Sequence, residues 1–239
     1  MADTTQKTLV CLGDSITEGM IGVSYVDKLR AELRGVRVIN AGVNGDTTLH
    51  LLRRVERDVI AHRPDVVTIM VGLNDLTTAY GLRSSKLFYR TFKNLQVVLT
   101  PPRFIRAYRQ LLGILRERTN ARLALCTLTT IGEQLDDPVQ QYVDTYSQII
   151  RALAAQERLP LIDVRASFQA AMACDPRIGP PYRIWTPVRD WLAIGLRGQT
   201  YATLAARRGY RLICDGAHLA DAGAELVART MLPCIRRLL

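Results

Sequence analysis

The sequence predicts an α/β protein organised around a parallel, doubly wound β-sheet. Short apolar runs, which are typical of buried strands, alternate with longer segments that have the apolar spacing of helices. Each of the first three runs also ends in a loop that combines glycine with aspartate or asparagine. Open α/β sheets bind their ligands at this carboxyl edge. Five strands are predicted, over residues 9–12, 36–39, 66–71, 123–128 and 159–164.

The segments between these strands carry apolar residues at intervals of three and four, as helices that pack on a sheet do. The first two such stripes consist of Val23, Val26, Leu29 and Leu33, and of Leu49, Leu52, Val55 and Val59. Further helices are predicted over residues 101–119, 139–156 and 167–173, and from Asp221 onward. Pro233 is expected to kink or shorten the last helix, because proline lacks a backbone N–H.

The length and composition predict one globular domain that spans residues 1–239. Hydrophobic residues make up 48% and charged residues 23% of the chain, a balance typical of soluble globular proteins. No apolar run approaches the ~20 residues that a membrane-spanning helix needs. Residues 1–8 lack the hydrophobic segment of a secretory signal, so we expect a cytoplasmic protein.

The five cysteines predict neither a disulfide framework nor a metal site. Cys11, Cys126 and Cys214 lie inside apolar, strand-like runs, and no pair of cysteines has the spacing of zinc ligands. We expect a protein without a metal or cofactor.

The net charge of +10 is concentrated in two segments of the chain. Residues 76–116 contain eight basic residues and no acidic one, and residues 177–211 contain seven basic residues and one acid. The rest of the chain is therefore net acidic. We interpret the parts at about 76–105 and 176–211 as insertions near the carboxyl edge of the sheet, because both connect to its strand-end loops.

Two interpretations of these basic segments stay open. Aromatic residues lie among the arginines, namely Tyr80, Phe88, Trp185 and Trp191. Together they can form a mobile cover that favours substrates with an anionic part, or that contacts an anionic membrane surface. Alternatively, the arginines are solvated helix faces and the aromatic side chains are packing residues. Nucleic acid is not an expected partner, because a module that binds it leaves the strand-end residues described next unexplained.

Ser15 is the first candidate functional residue, and it follows Gly13-Asp14 where the first strand stops. Glycine permits a sharp turn at this point, which places Ser15 at the carboxyl end of the strand. A serine there can act as a nucleophile, or it can cap the helix that follows. The residue by itself does not distinguish the two roles.

His218 is the histidine best placed to act as a base. It follows the apolar run 212–214, which we expect to return to the core, and it lies three residues after Asp215. That spacing lets the Asp215 carboxylate hold the imidazole in one orientation. The alternative is a loop cap beside a surface ring. The other two histidines, His50 and His62, are flanked by arginines and are predicted to be solvated surface residues.

Two further strand-end loops carry candidate hydrogen-bond donors. Asn74 follows Gly72-Leu73, and its side-chain amide can donate to a developing oxyanion. Gly45 has no Cβ, so its backbone N–H can approach a substrate closely. Each residue is also consistent with an ordinary turn.

The acidic residues in these loops are interpreted as structural. Asp14 and Asp46 adjoin predicted helix starts, where carboxylates serve as turn and cap residues, and Asp75 is interpreted as a brace of the Asn74 loop. The same aspartates with His218 also resemble scattered metal ligands, so a metallophosphoesterase is a rival interpretation. It is disfavoured because such sites contain several histidines, whereas only one is well placed here.

Together, these motifs resemble the four blocks of the SGNH/GDSL hydrolases. Gly13-Asp14-Ser15, Asn44-Gly45-Asp46, Gly72-Leu73-Asn74-Asp75 and Asp215-Gly216-Ala217-His218 occur in the family's order and span nearly the whole chain. The one departure in the first block is Ile16, where the family name has leucine, and this exchange is conservative.

The resemblance implies a three-layer α/β/α fold of the flavodoxin-like type and a serine esterase or lipase that acts on small-molecule or lipid-like acyl esters. By this resemblance, Ser15 attacks the acyl carbonyl, His218 takes the serine proton and Asp215 holds His218. The backbone N–H groups of Ser15 and Gly45 and the Asn74 side chain hold the oxyanion. An acyltransferase or a thioesterase on the same site is the alternative.

Overall fold

The computed structural model describes residues 6–81, 83–174 and 200–239, and within them it contains a parallel five-stranded sheet in the order β2-β1-β3-β4-β5. The strands are β1 Thr8–Gly13, β2 Arg37–Gly42, β3 Val66–Met70, β4 Arg122–Cys126 and β5 Leu161–Ile162. All pairings between neighbours are parallel, as the sequence predicts.

The middle of the sheet positions the first candidate residue. β1 is buried along its whole length and pairs with β2 on one side and β3 on the other, with Leu9 opposite both Val38 and Val66. The chain therefore leaves β1 toward one edge and then returns across it to the other. Crevices at such reversal points, outside the carboxyl ends of the strands, are where doubly wound sheets bind ligands.

Helices cover both faces of the sheet, which gives the three layers. They are α1 Ser15–Glu18, α2 Tyr25–Glu32, α3 Thr48–Asp58, α4 Leu73–Tyr80, α5 Arg83–Phe92, α6 Pro101–Arg118, α7 Val139–Gln156, α8 Val164–Cys174, α9 Tyr201–Arg208 and α10 Asp221–Leu238, with a 3₁₀ turn at Ile60–His62. Helix α6 packs between α3 and α7, whereas α10 packs against α2 and α8. The α/β class and the three-layer architecture are thus confirmed.

Several local predictions need correction. The run at 212–214 returns to the core, as expected, but it is not a strand of the sheet and forms only an isolated antiparallel bridge between Ile213 and Leu219. Pro233 lies inside α10, which continues to Leu238, so it does not shorten that helix. The second predicted stripe is also shifted, because Leu51 and Val55 are buried in α3 whereas Leu49 and Leu52 are only half-buried.

The last part of the first basic segment is helix α6. Helix α6 belongs to the sandwich, since its Phe104 and Tyr108 are fully buried. Its basic residues lie on the opposite face, where Arg116 pairs with Glu157 and Arg109 donates to Gln156 at 2.8 Å. These arginines are therefore a solvated helix face, one of the two interpretations left open above.

Most of the second basic segment, including Trp185 and Trp191, lies outside the described residues. Across the ranges that are described, no helix is both long enough and apolar enough to cross a membrane.

Candidate active site

Tight packing at the end of β1 determines where Ser15 lies. A Cβ on Gly13 would come within 2.0 Å of Thr17 Oγ1 and 2.6 Å of the Met70 carbonyl oxygen, so only glycine fits. Asp14 then caps α1, because its Oδ1 accepts a hydrogen bond from the Ile16 N–H at 3.0 Å. Ser15 is thus the first residue of α1 rather than its cap, and the opening N–H groups of a helix have no partner within it.

The structure brings Ser15, His218 and Asp215 into one hydrogen-bonded line. His218 Nε2 lies 3.0 Å from Ser15 Oγ, and His218 Nδ1 lies 2.7 Å from Asp215 Oδ2. The other Asp215 oxygen accepts the backbone N–H groups of Ala217 and His218, at 3.1 and 2.9 Å. Because a carboxylate only accepts, Nδ1 carries the proton and Nε2 presents its lone pair to the serine hydroxyl.

The charges in this line shift two pKa values in opposite directions. Burial alone would lower the pKa of His218, but the hydrogen bond and the negative charge of Asp215 outweigh burial and hold that pKa above its usual 6.5. Burial alone would raise the pKa of Asp215, and its hydrogen bonds to His218 reverse that effect, so the pKa lies below its usual 3.8. Asp215 therefore stays ionised while His218 changes protonation state.

Two other buried carboxyl groups lie close to this line. Burial raises the pKa of Asp14 to about 7, against the opposing effects of the Ile16 N–H and the His218 charge. Burial also raises the pKa of Asp75 to about 7, although both of its oxygens accept the Thr48 N–H, at 3.1 and 3.2 Å. Asp75 thus ties the first turn of α4 to the start of α3, which is the bracing role expected from the sequence.

Asn74, in the first turn of α4, and Gly45, in the turn after β2, lie at the same edge of the sheet. Asn74 Nδ2 donates to the Asp46 carbonyl oxygen at 2.9 Å and lies 3.4 Å from Asp14 Oδ2. Gly45 is in a turn closed by a 3.1 Å hydrogen bond from the Asp46 N–H to the Val43 carbonyl, with φ at +73°. That φ value favours glycine.

Asp46 is not a helix cap, in contrast to the sequence prediction. Its carboxylate is buried between Arg54 Nε at 2.7 Å and Lys93 Nζ at 2.6 Å. Thr47 is the residue that precedes α3 in the cap position. The sequence suggested a cap because Asp46 adjoins a helix start, whereas neither of its basic partners, Arg54 and Lys93, is adjacent to it in the chain.

The prediction that His50 is a solvated surface residue is wrong. Its side chain is buried, its Nδ1 accepts the Thr47 backbone N–H at 3.0 Å, and its Nε2 donates to the Lys93 carbonyl at 2.7 Å. Burial, more than any other effect, lowers the pKa of His50 below its usual 6.5. Its neighbouring arginines suggested exposure, but one of them, Arg54, is itself buried.

Arg54 is a site residue that the sequence analysis missed. Besides Asp46, its guanidinium donates to the Gly13 carbonyl at 2.7 Å and to the Ala41 carbonyl at 2.9 Å. It thereby joins the carboxyl ends of β1 and β2 next to the turn that carries Ser15. Helical spacing from Arg54 to Asp58, which it also contacts, was the only signal in the sequence.

Glu133 is the second residue that was missed. Its carboxylate accepts the backbone N–H groups of Arg211, Leu212 and Ile213 at 2.6–3.0 Å, and the adjacent Gly132 N–H donates to the Gly216 carbonyl at 2.8 Å. These bonds satisfy backbone N–H groups that would otherwise need a neighbouring strand of the sheet. They anchor the loop that carries Asp215 and His218.

We expect Glu133→Ala to impair both stability and activity. Removing the carboxylate leaves partly buried N–H groups unpaired, which lowers the free energy of unfolding by about 2 kcal/mol. A displacement of the Asp215 loop by about 1 Å then reduces kcat by about 10²-fold. Thermal unfolding and ester hydrolysis measure the two effects. Glu32→Ala, which removes an exposed ion pair with Arg236, is the matched control. Unchanged kcat in a destabilised Glu133→Ala would contradict the anchoring role.

The acidic residues that resemble metal ligands in the sequence have other partners in the structure. In the part of the chain that the structure describes, no group of three or more histidine, cysteine, aspartate or glutamate residues is arranged to hold a metal ion. Asp46 is held by two cations, and Asp14 caps a helix.

A serine at a strand end, hydrogen-bonded to a histidine that an aspartate orients, is the constellation of serine hydrolases. A sequence model of the GDSL-like Lipase/Acylhydrolase family matches residues 11–226, and the chain belongs to this family. It is accordingly a serine hydrolase that acts on carboxylic esters.

Known relatives agree with this class. An acetylxylan esterase from Geobacillus stearothermophilus is 26% identical over 184 residues, which cover 70% of this chain and 80% of the relative. The structure of the acetyl xylan esterase AlAXEase superposes with a TM-score of 0.66 at 25% identity, covering 95% of this chain and 99% of that one. The structure of an acetylxylan esterase from the same Geobacillus species gives 0.64 at 24% identity, with 95% and 93% covered. Variants of that esterase described as catalytic mutants replace a serine, an aspartate or a histidine by alanine.

Proposed function

We propose that this protein is an esterase that removes short acyl groups, acetyl above all, from the hydroxyl groups of small carbohydrates. The observation that carries the proposal is the hydrogen-bonded line from Ser15 through His218 to Asp215. The acetylxylan esterases to which the chain is similar support the choice of acyl group and of a carbohydrate alcohol.

In the proposed mechanism, Ser15 Oγ attacks the ester carbonyl as His218 Nε2 accepts its proton. The Ser15 and Gly45 backbone N–H groups and the Asn74 amide donate to the oxyanion of the tetrahedral intermediate. When the intermediate collapses, the alcohol leaves with the proton from His218 and the acyl group stays on Ser15. Water then attacks the acyl-enzyme with His218 as base, which releases the acid and restores the serine.

A small cavity supports a short acyl group. It has a volume of about 10 Å³ and is lined mainly by apolar side chains, among them Ile16, which follows Ser15, Leu73, which precedes Asn74, and Leu128. A volume of this size holds about one water-sized group. A methyl group is of comparable size, whereas a long acyl chain needs space elsewhere.

The acyl preference is tested with esters that share one leaving group. We expect kcat/KM to be highest for p-nitrophenyl acetate and to fall at least ~10-fold for the octanoate, since each chain extension exceeds the cavity. Acetylated xylo-oligosaccharides should release acetate. Faster hydrolysis of the octanoate would contradict the short-acyl proposal and favour a lipase. A thioester and an alcohol acceptor in the same panel test the thioesterase and acyltransferase alternatives.

Preference for an anionic ester, and contact with an anionic lipid surface, stay predictions from the basic segments. A carboxylated ester in the same panel tests the preference for an anionic ester. Its KM should rise at 1 M salt, because the Debye length falls to ~3 Å and the attraction between exposed charges is screened. The neutral acetate provides the comparison, and binding to anionic vesicles tests the contact with a lipid surface.

A further inference from the structure

Helix α5 leaves most of its large apolar side chains exposed to solvent. Leu87, Phe88 and Phe92 are 64%, 46% and 76% exposed, so most of its apolar surface contributes nothing to the main core. Tyr89, on the same helix, is only 6% exposed and packs with Leu95 in a small separate cluster. The buried part of this segment therefore points toward the strand-end loops and not toward the sheet.

Tyr89 contacts one of the proposed oxyanion donors directly. Its hydroxyl donates a hydrogen bond to Asn74 Oδ1, while Asn74 Nδ2 donates to the Asp46 carbonyl. These two bonds define which end of the amide is oxygen and which is nitrogen, because a flipped amide would set Oδ1 against the Asp46 carbonyl oxygen. The second N–H of Nδ2, which makes only a long 3.4 Å contact with Asp14 Oδ2, is then the one that can turn to a substrate oxyanion. A bond into Oδ1 also polarises the amide and strengthens that donor.

Lys93, the residue after α5, holds the other donor loop. Its Nζ donates to the Asn44 carbonyl at 2.7 Å and to Asp46 Oδ1 at 2.6 Å, so it spans the turn that contains Gly45. Its Cδ and Cε atoms lie 3.4 Å from the position of a Gly45 Cβ. His50 closes the arrangement from the other side by donating to the Lys93 carbonyl.

We propose that Tyr89 and Lys93 are positioning residues that hold Asn74 and the Gly45 turn in the geometry needed to stabilise the oxyanion. This inference rests on the proposed roles of Asn74 and Gly45. Neither residue acts on the reacting atoms: Tyr89 works through the Asn74 amide, and Lys93 works through Asn44 and Asp46. The exposed helix α5 and the residue after it thus contact the groups that stabilise the transition state.

The test is a double-mutant cycle on p-nitrophenyl acetate hydrolysis. Asn74→Ala removes the donor itself and should lower kcat by ~10²–10³-fold with KM nearly unchanged, because an oxyanion donor acts in the transition state. Tyr89→Phe removes one hydroxyl and should lower kcat by about tenfold, again with little change in KM. In the Asn74→Ala background, Tyr89→Phe should have no further effect, because its target is gone.

Lys93→Met keeps the aliphatic stem, removes the cation and should lower kcat by ~10–10²-fold. Tyr142→Phe and Lys28→Met are the matched controls: Tyr142 stacks on Tyr80, and Lys28 pairs with Asp221, both with expected wild-type kcat. Wild-type kcat in Lys93→Met would overturn the role of Lys93. If that variant does not fold, Lys93→Gln, which also removes the cation, provides the same measurement.

The possible failures are distinguishable. Wild-type kcat in Asn74→Ala would overturn the proposed oxyanion role, and the positioning role with it. Reduced kcat in Asn74→Ala together with wild-type kcat in Tyr89→Phe would overturn the positioning role alone. Additive losses in the double variant would make Tyr89 a structural residue, and so would a raised KM with unchanged kcat.

Discussion

Ser15→Ala is expected to lower kcat for ester hydrolysis by roughly 10⁴- to 10⁶-fold while leaving KM nearly unchanged. Without Oγ there is no atom to form the acyl-enzyme, although the oxyanion donors and the binding surface remain. His218 Nε2 lies 3.0 Å from Ser15 Oγ in the wild-type protein, so in Ser15→Ala it has no hydroxyl group to deprotonate. Steady-state kinetics on p-nitrophenyl acetate measures the loss.

A fluorophosphonate probe provides an independent measurement of the same prediction. It should label the wild-type protein at one serine per chain and should leave Ser15→Ala unlabelled. Ser24→Ala is the matched control, because Ser24 caps α2 and has no partner in the catalytic line. Labelling of Ser15→Ala at the wild-type level would show that another serine is the nucleophile.

His218→Ala is expected to have the second largest effect, a loss of at least ~10³-fold in kcat. The histidine must be neutral to accept the serine proton, and its pKa is raised above 6.5 by the Asp215 carboxylate. In the wild-type protein, kcat/KM should therefore fall as the pH decreases through that raised pKa. The pH profile of kcat/KM reports this ionisation in the free enzyme.

Asp215→Asn tests directly whether the Asp215 carboxylate raises the pKa of His218. Removing the carboxylate charge lowers the pKa of His218, so the acidic limb should move to lower pH, while kcat falls because the ring is no longer held in one tautomer. His62→Ala, in the short 3₁₀ turn, is the control and should keep wild-type activity. An acidic limb that stays in place in Asp215→Asn would mean that a different group titrates.

The sequence predicted those parts of the structure that depend on residues close together in the chain. The alternation of strands and helices gave the sheet and its parallel strands, because a buried parallel strand needs an apolar run whatever its tertiary partners. Asp215 and His218 are three residues apart, so their pairing is a property of one turn. Gly13 before Asp14-Ser15 likewise predicts the abrupt turn that places Ser15 at the strand end.

The errors arose where a buried face is polar. In α3, apolar spacing suggested Leu49 and Leu52 for the core, whereas His50 and Arg54 are buried instead. This helix lies against the ends of β1 and β2, whose carbonyl groups need donors. A buried polar group is stable when it is fully hydrogen-bonded, and hydrophobic periodicity does not show such partners.

The sequence by itself determined the order of strands along the chain, the four motifs that resemble the SGNH/GDSL blocks and the local pairing of Asp215 with His218. Only the tertiary structure decided which distant residues meet those motifs: Glu133 beneath the Asp215 loop, and Tyr89 and Lys93 against Asn74 and the Gly45 turn. The physical reason is that these contacts join groups from different loops. Each depends on the directions in which separate segments leave the sheet, and the hydrogen bonds form only once the packed strands have brought the loops to one edge.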